Sequence, residues 1–158
     1  MKYKNLPLDC LSEVLNVFCK IKIDEWSVTA AKFNEITDWL DCTAFIQLKG
    51  SNIDYFLSLS ADLRFLSKIY ANIFGEYINE VNSEVGDLLG EICNQTAGKV
   101  KTVLSPQNHS FDMATPVVVF GQNLKFRNLG DLEGELFATS SEFGKASFFV
   151  HSKELKNF

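Results

Sequence analysis

"EVGDLLGEICNQTAGKVKTVL", residues Glu84 to Leu104, decides how the rest of this 158-residue chain is read. Good helix formers and an apolar repeat predict one long helix that closes before Pro106. Yet Asn94 and Gly98 sit in its interior, and a glycine there costs roughly 1 kcal/mol against alanine. At about 100° per residue, with Asp87 at zero, Glu91 falls at about 40°, Asn94 at about −20° and Gly98 at about 20°. The four share a stripe roughly 60° wide. Val85, Leu88, Leu89, Ile92, Val100 and Val103 fall between about 100° and 220°, the face predicted to be buried. A solvated face is the ordinary explanation of such a stripe. It leaves the choice of Asn and Gly along it unexplained.

Outward from this helix, the chain divides into short elements without a Pro/Gly-rich linker or low-complexity tract, so residues 1–158 read as a single domain. A helix is predicted from about Leu8 to Lys20, with Pro7 near its start, where a missing N–H costs nothing. Strand-like runs follow at 26–33, 42–50 and 53–60, and Gly50-Ser51-Asn52 forms a hairpin turn between the last two. Residues 61–75 show the helical period, ended by Gly75. After the central helix come "HSFDM", "PVVVFG", "EGELFATS" and "ASFFVHS", separated by turn residues. Helices grouped between strand runs predict an α+β fold, a mainly antiparallel sheet covered by long helices. Fourteen phenylalanines suit such a core.

Composition excludes several functions. The formal net charge is −5 with no Lys/Arg stripe, which argues against nucleic acid as a partner. No run of about 18 apolar residues exists, so no membrane-spanning helix is expected. The N-terminal stretch lacks a signal-peptide pattern. Four cysteines, none in a CxxC, and two histidines make neither a zinc pattern nor a disulfide framework; a reduced, cytoplasmic protein fits best.

The stripe suits one kind of chemistry. A carboxamide donates and accepts hydrogen bonds and does not titrate near neutrality. It can hold a water in line with a phosphoryl group, as a Gln does in several phosphate-hydrolysing switches. A carboxylate one turn earlier could clamp a partner's Lys or Arg, and a glycine one turn later removes a side chain that would obstruct close approach. The chain shows no nucleophile–base pair, P-loop or metal cage, so the phosphate and its cation would have to arrive with the partner.

Asp87, Glu91, Asn94 and Gly98 match every position of the motif (Asp or Ser)-x3-Glu-x2-Asn-x3-Gly, and "DLLGEICNQTAGKVKTVL" resembles the signature helix of the CheC/CheX/FliY chemotaxis phosphatases. "GEICNQTAGK" and "FDMATPVVVFGQNLKF" are most similar to the CheX form, and the likeness runs from about Leu8 to Ser152. It implies a CheX/CheC-like fold with an internal pseudo-two-fold, and a phosphatase of the aspartyl phosphate on a CheY-like response-regulator receiver domain. By matched position, Asn94 would orient the attacking water and Glu91 would pair with the receiver's Lys. Gly98 would have a supporting role; Asp87 would have a supporting or a helix-dipole role. The resemblance also implies that this chain binds no cofactor of its own, that Mg2+ sits on the receiver, and that the chain forms a homodimer joined through its sheets. The alternative is a non-catalytic assembly module of the same fold, in a chemotaxis or flagellar-switch complex.

"DCLSEVLNVFCK" repeats the spacing more faintly, with Asp9, Glu13 and Asn16 in register but Lys20 where the glycine should stand. Glu13 and Asn16 are therefore expected to be the vestige of a second site. His109 and His151 read as surface or capping residues and Cys93 as a packed thiol. Phe137, Phe143, Phe148 and Phe149 read as core.

Overall fold

In the computed structural model, which describes Tyr3 and residues 5–107, 110–127 and 131–155, three α-helices and seven strands are grouped along the chain. Their order is α1 (Leu6–Val17), β1 (Ser27–Lys32), β2 (Cys42–Gly50), β3 (Ile53–Ala61), α2 (Leu63–Phe74), α3 (Ser83–Leu104), β4 (Phe111–Met113), β5 (Val117–Phe120), β6 (Glu133–Ser141) and β7 (Gly144–Glu154). The strands form one sheet in the order β1-β6-β7-β3-β2-β4, with β5 also on β2. Every pairing is antiparallel. The expected α+β architecture is the observed one.

Local chemistry sets the boundaries. Asp62 caps α2 by accepting from Phe65 N at 2.9 Å, and Gly75 ends it in the left-handed region at φ 79°, where glycine carries no Cβ penalty. Asn82 opens α3 by accepting from Val85 N at 3.0 Å. The first helix differs from expectation, starting at Leu6 and ending at Val17. Lys20 lies past its end at φ 57°, so the position that matches the glycine of the motif is not on the helix at all. Asn72 Nδ2 donates to Cys19 O at 3.0 Å and bonds this turn to α2.

The main core lies between the helices and one sheet face, where Leu11, Val14 and Leu15 of α1, Phe65, Leu66 and Ile69 of α2, and Leu89, Ile92 and Val100 of α3 meet Leu48, Leu57, Phe137 and Phe148. Each such side chain stabilises the fold by about 1.5–3 kcal/mol relative to exposure. Because strand side chains alternate, Phe149 points the other way and joins Phe33 and Trp39 in a second cluster, covered by Leu124, Phe126 and Leu132 rather than by a helix. Phe137, Phe148 and Phe149 are buried as expected, whereas Phe143, in the β6–β7 turn, is half-buried. Val103 is 44% exposed and Leu104 takes the buried place in the last turn of α3. Edge strand β1 carries Val28, Ala30 and Ala31 and no phenylalanine; Phe111 and Phe120 belong to β4 and β5 at the opposite edge.

Candidate functional site

Helix α3 is enclosed on three sides. Its apolar face lies on β2 and β3, α1 packs along one flank, and β5 packs along the other. The β5 flank is lined by small residues because the strand comes close. A Cβ at Gly86 would stand 2.5 Å from Phe120 Cζ, and one at Gly90 would stand 3.2 Å from Val118 Cγ2. Val118 and Phe120 therefore lie over two glycines one turn apart. The sequence reading missed this flank, because Gly and Ala carry no signal in a hydropathy period; the i, i+4 spacing of Gly86 and Gly90 was the available clue.

The strip left open is the predicted stripe. Asp87 and Glu91 are exposed and Asn94 is half-buried, with its carboxamide making no hydrogen bond among the described residues. Glu91 Oε1 accepts from Gln95 Nε2 at 3.1 Å, and no cation among the described residues pairs with it. Around Gly98 a Cβ would meet nothing within 4 Å. Packing among the described residues does not account for that glycine.

Beside the row lies a cleft of about 480 Å³, lined by Asp87, Gly90, Glu91 and Asn94 on α3 and by residues 113–116 and Val118 opposite. That wall is a broken edge strand. β4 pairs Leu48 to Gly50 and β5 pairs Cys42 to Phe45 of the same strand β2, and the break carries Pro116, which has no N–H to give a ladder. Asp87 lies in the second turn of α3, past the first turn where the helix dipole acts, and lines the cleft. Cys93 is buried as expected, its thiol pushed up to about 12 by burial, which makes it a poor nucleophile.

A larger groove of about 860 Å³ lies at the start of α2, beside Arg64, Lys68 and Phe143. Its aspartates are already committed: Asp62 accepts from Phe65 N and Lys145 N, and Asp41 accepts from Leu63 N.

On α1, Asp9, Glu13 and Asn16 are exposed, but Glu13 Oε1 takes Lys99 Nζ of α3 at 3.0 Å. The glutamate of the second row is thus already paired with a cation, as Glu91 is not. His151 Nδ1 donates to Glu133 O at 2.7 Å on the sheet, and His109 lies outside the described residues. Among the described residues no group of three or more His, Cys, Asp or Glu is placed to hold a metal, and no helix is long and apolar enough to cross a membrane.

This architecture defines a class. The chain is similar to a CheC-like superfamily protein from Shewanella sp. PV-4, with TM-score 0.82 and 28% identity over 94% of this chain and 96% of that one. It is also similar to the chemotaxis protein CheX from Vibrio vulnificus, with TM-score 0.82 and 27% identity over 97% of this chain and 100% of that one. A CheX from Borrelia burgdorferi, solved as a CheX–CheY–BeF3–Mg2+ complex, shares the fold at TM-score 0.70 and 19% identity, over 96% of this chain and 98% of that one. No protein of curated function matches the chain. The family model described as chemotaxis phosphatase CheX matches residues 42–138, more than half of the chain. The chain belongs to the CheX chemotaxis phosphatase family.

Proposed function

We propose that the chain hydrolyses the aspartyl phosphate of a CheY-like receiver domain, with Glu91 and Asn94 completing a site that the receiver leaves unfinished. The observation that carries this reading is a carboxylate that no cation among the described residues pairs with, followed one turn further along α3 by a carboxamide with no hydrogen bond among them, beside a glycine whose Cβ position is open. Along the axis the two functional residues are offset by about 4.5 Å. A receiver lysine drawn to Glu91 therefore brings the phosphoryl group to the level of Asn94. The Asn94 carboxamide accepts from a water and holds it in line with phosphorus. Water attacks phosphorus, the P–O bond to the receiver's aspartate breaks, the carboxylate leaves, and both water protons depart with the released dihydrogen phosphate.

Asn94 removes no proton by itself. Catalysis is positioning of the attacking oxygen. Asp87 lines the approach, and the divalent cation such hydrolysis requires comes with the receiver as Mg2+. The assignment of roles follows the family motif, and the open geometry supports it. We propose in addition a homodimer joined through the sheets, which the open edge of β1 would permit, and a cytoplasmic location, which four unpaired thiols suit. Phosphate release from a phosphorylated receiver tests the function. The wild type should accelerate release, and Asn94→Ala should return it to the receiver's own rate. Equal acceleration by both proteins eliminates the site. No acceleration across CheY-like receivers favours the assembly-module reading.

A further inference from the structure

Glu91 has a neighbour that holds it, and the two glutamate rows of this chain differ in what does the holding. In α3, Gln95 stands four residues beyond Glu91 and donates Nε2–H to Oε1 at 3.1 Å. In α1, the residue four beyond Glu13 is Val17, which is 60% exposed and offers no donor. Glu13 is instead gripped by Lys99 at 3.0 Å. Both carboxylates are exposed, but a neutral donor holds Glu91 and a cation holds Glu13.

The difference has a physical consequence. An amide fixes the direction of a carboxylate without neutralising its charge, and it occupies one oxygen only. A lysine at the same i, i+4 spacing would be the stronger helix pair, but it would compete with the incoming ammonium group. An alanine would leave the glutamate torsions free, to be frozen only on docking. On the angular count Gln95 lies at about 80°, on the α1 side of the open stripe. It is half-buried and shares the surface strip with Glu91 without lying on the row itself. We propose that Gln95 is a positioning residue, holding Glu91 in its partner-binding direction with full charge and one oxygen free for the receiver's lysine. This rests on Glu91 being the lysine clamp, and it adds what prepares the clamp.

The test is steady-state hydrolysis of a phosphorylated receiver by the full chain, separating KM from kcat, with melting temperature measured alongside. Gln95→Ala should raise KM about two- to fivefold, the range of a lost i, i+4 hydrogen bond together with the freed torsions. Gln95→Glu, of the same shape but without a donor at neutral pH, should raise KM further, because two carboxylates then face each other. Gln95→Lys should raise KM even though the helix is at least as stable. In all three variants kcat should stay within about twofold, since Asn94 is untouched. Three wild-type KM values overturn the proposal. So does a fall in kcat at constant KM, or a KM that simply follows melting temperature. If the wild type hydrolyses the receiver and Glu91→Ala abolishes binding while the Gln95 variants are indifferent, this inference alone fails. If the wild type is inactive, or Glu91→Ala is silent, the clamp reading fails and this one falls with it.

Discussion

Replacing Gly98 with alanine separates what that residue costs the fold from what it gives a partner. A glycine inside α3 is worth roughly 1 kcal/mol less than alanine in helix propensity. Apart from its chain neighbours and its own helix backbone, no atom of the described residues comes within 4 Å of the added Cβ, so no clash with a packed neighbour offsets the gain. Gly98→Ala should therefore raise the melting temperature by about 2–4 °C for a chain of this size, read by circular dichroism. If the open surface is where the receiver docks, the same methyl obstructs it. The alanine variant should lose about fivefold in kcat/KM, at the low end of overpacking costs at a close-fitting contact, and Gly98→Leu, which projects further, about tenfold or more. Stability and activity would then move in opposite directions. An unchanged or lower melting temperature in the alanine variant would show that α3 is constrained here by something the geometry lacks. Full kcat/KM in the leucine variant would refute the docking surface.

Further outcomes follow from the two rows and the thiols. Glu91→Gln keeps shape and removes charge, so the affinity for a beryllofluoride-activated receiver should fall about 30-fold or more as the desolvated pair is lost; titration calorimetry with no change would remove Glu91 from the interface. Glu13→Gln and Asn16→Ala should leave kcat/KM within about twofold. Stability should shift by no more than about 1 kcal/mol, because the Glu13–Lys99 pair is exposed; a large loss of activity would show that the first row works. Burial holds the Cys10 and Cys42 thiols near 11 and those of Cys19 and Cys93 near 12. A disulfide reagent at pH 8 should find no rapidly reacting thiol in the native protein and four after denaturation. A fast native thiol would contradict the packing of that residue.

Much of this was legible in the sequence where one local rule acted alone. The β2–β3 hairpin about residues 50–52 is drawn by a turn between two alternating runs, and α2 stops where Gly75 permits a left-handed cap. The row on α3 was readable because four residues at helical spacing depart from what a plain amphipathic helix would choose. What escaped involves contacts between distant segments. The flank under β5 is built from Gly86 and Gly90, whose meaning appears only when Val118 and Phe120 arrive much later in the chain. The end of α1 at Val17 and the left-handed Lys20 depend on a turn bonded to Asn72 of another helix. Lys99 is an unremarkable surface lysine until α1 brings Glu13 to it. The division of the phenylalanines between two clusters follows from strand alternation, but which face α1, α2 and α3 cover is a tertiary fact.

Asn94 is assigned to supply position to the reaction rather than affinity to the complex, and single-turnover hydrolysis at saturating enzyme tests that most directly. With Asn94→Ala, the decay of the phosphorylated receiver should slow by about 100-fold or more, as for loss of a preorganised polar group at a reacting centre. The dissociation constant for the beryllofluoride-bound receiver should stay within about threefold of the wild type. Decay at the wild-type rate, or a loss explained wholly by weaker binding, would contradict it.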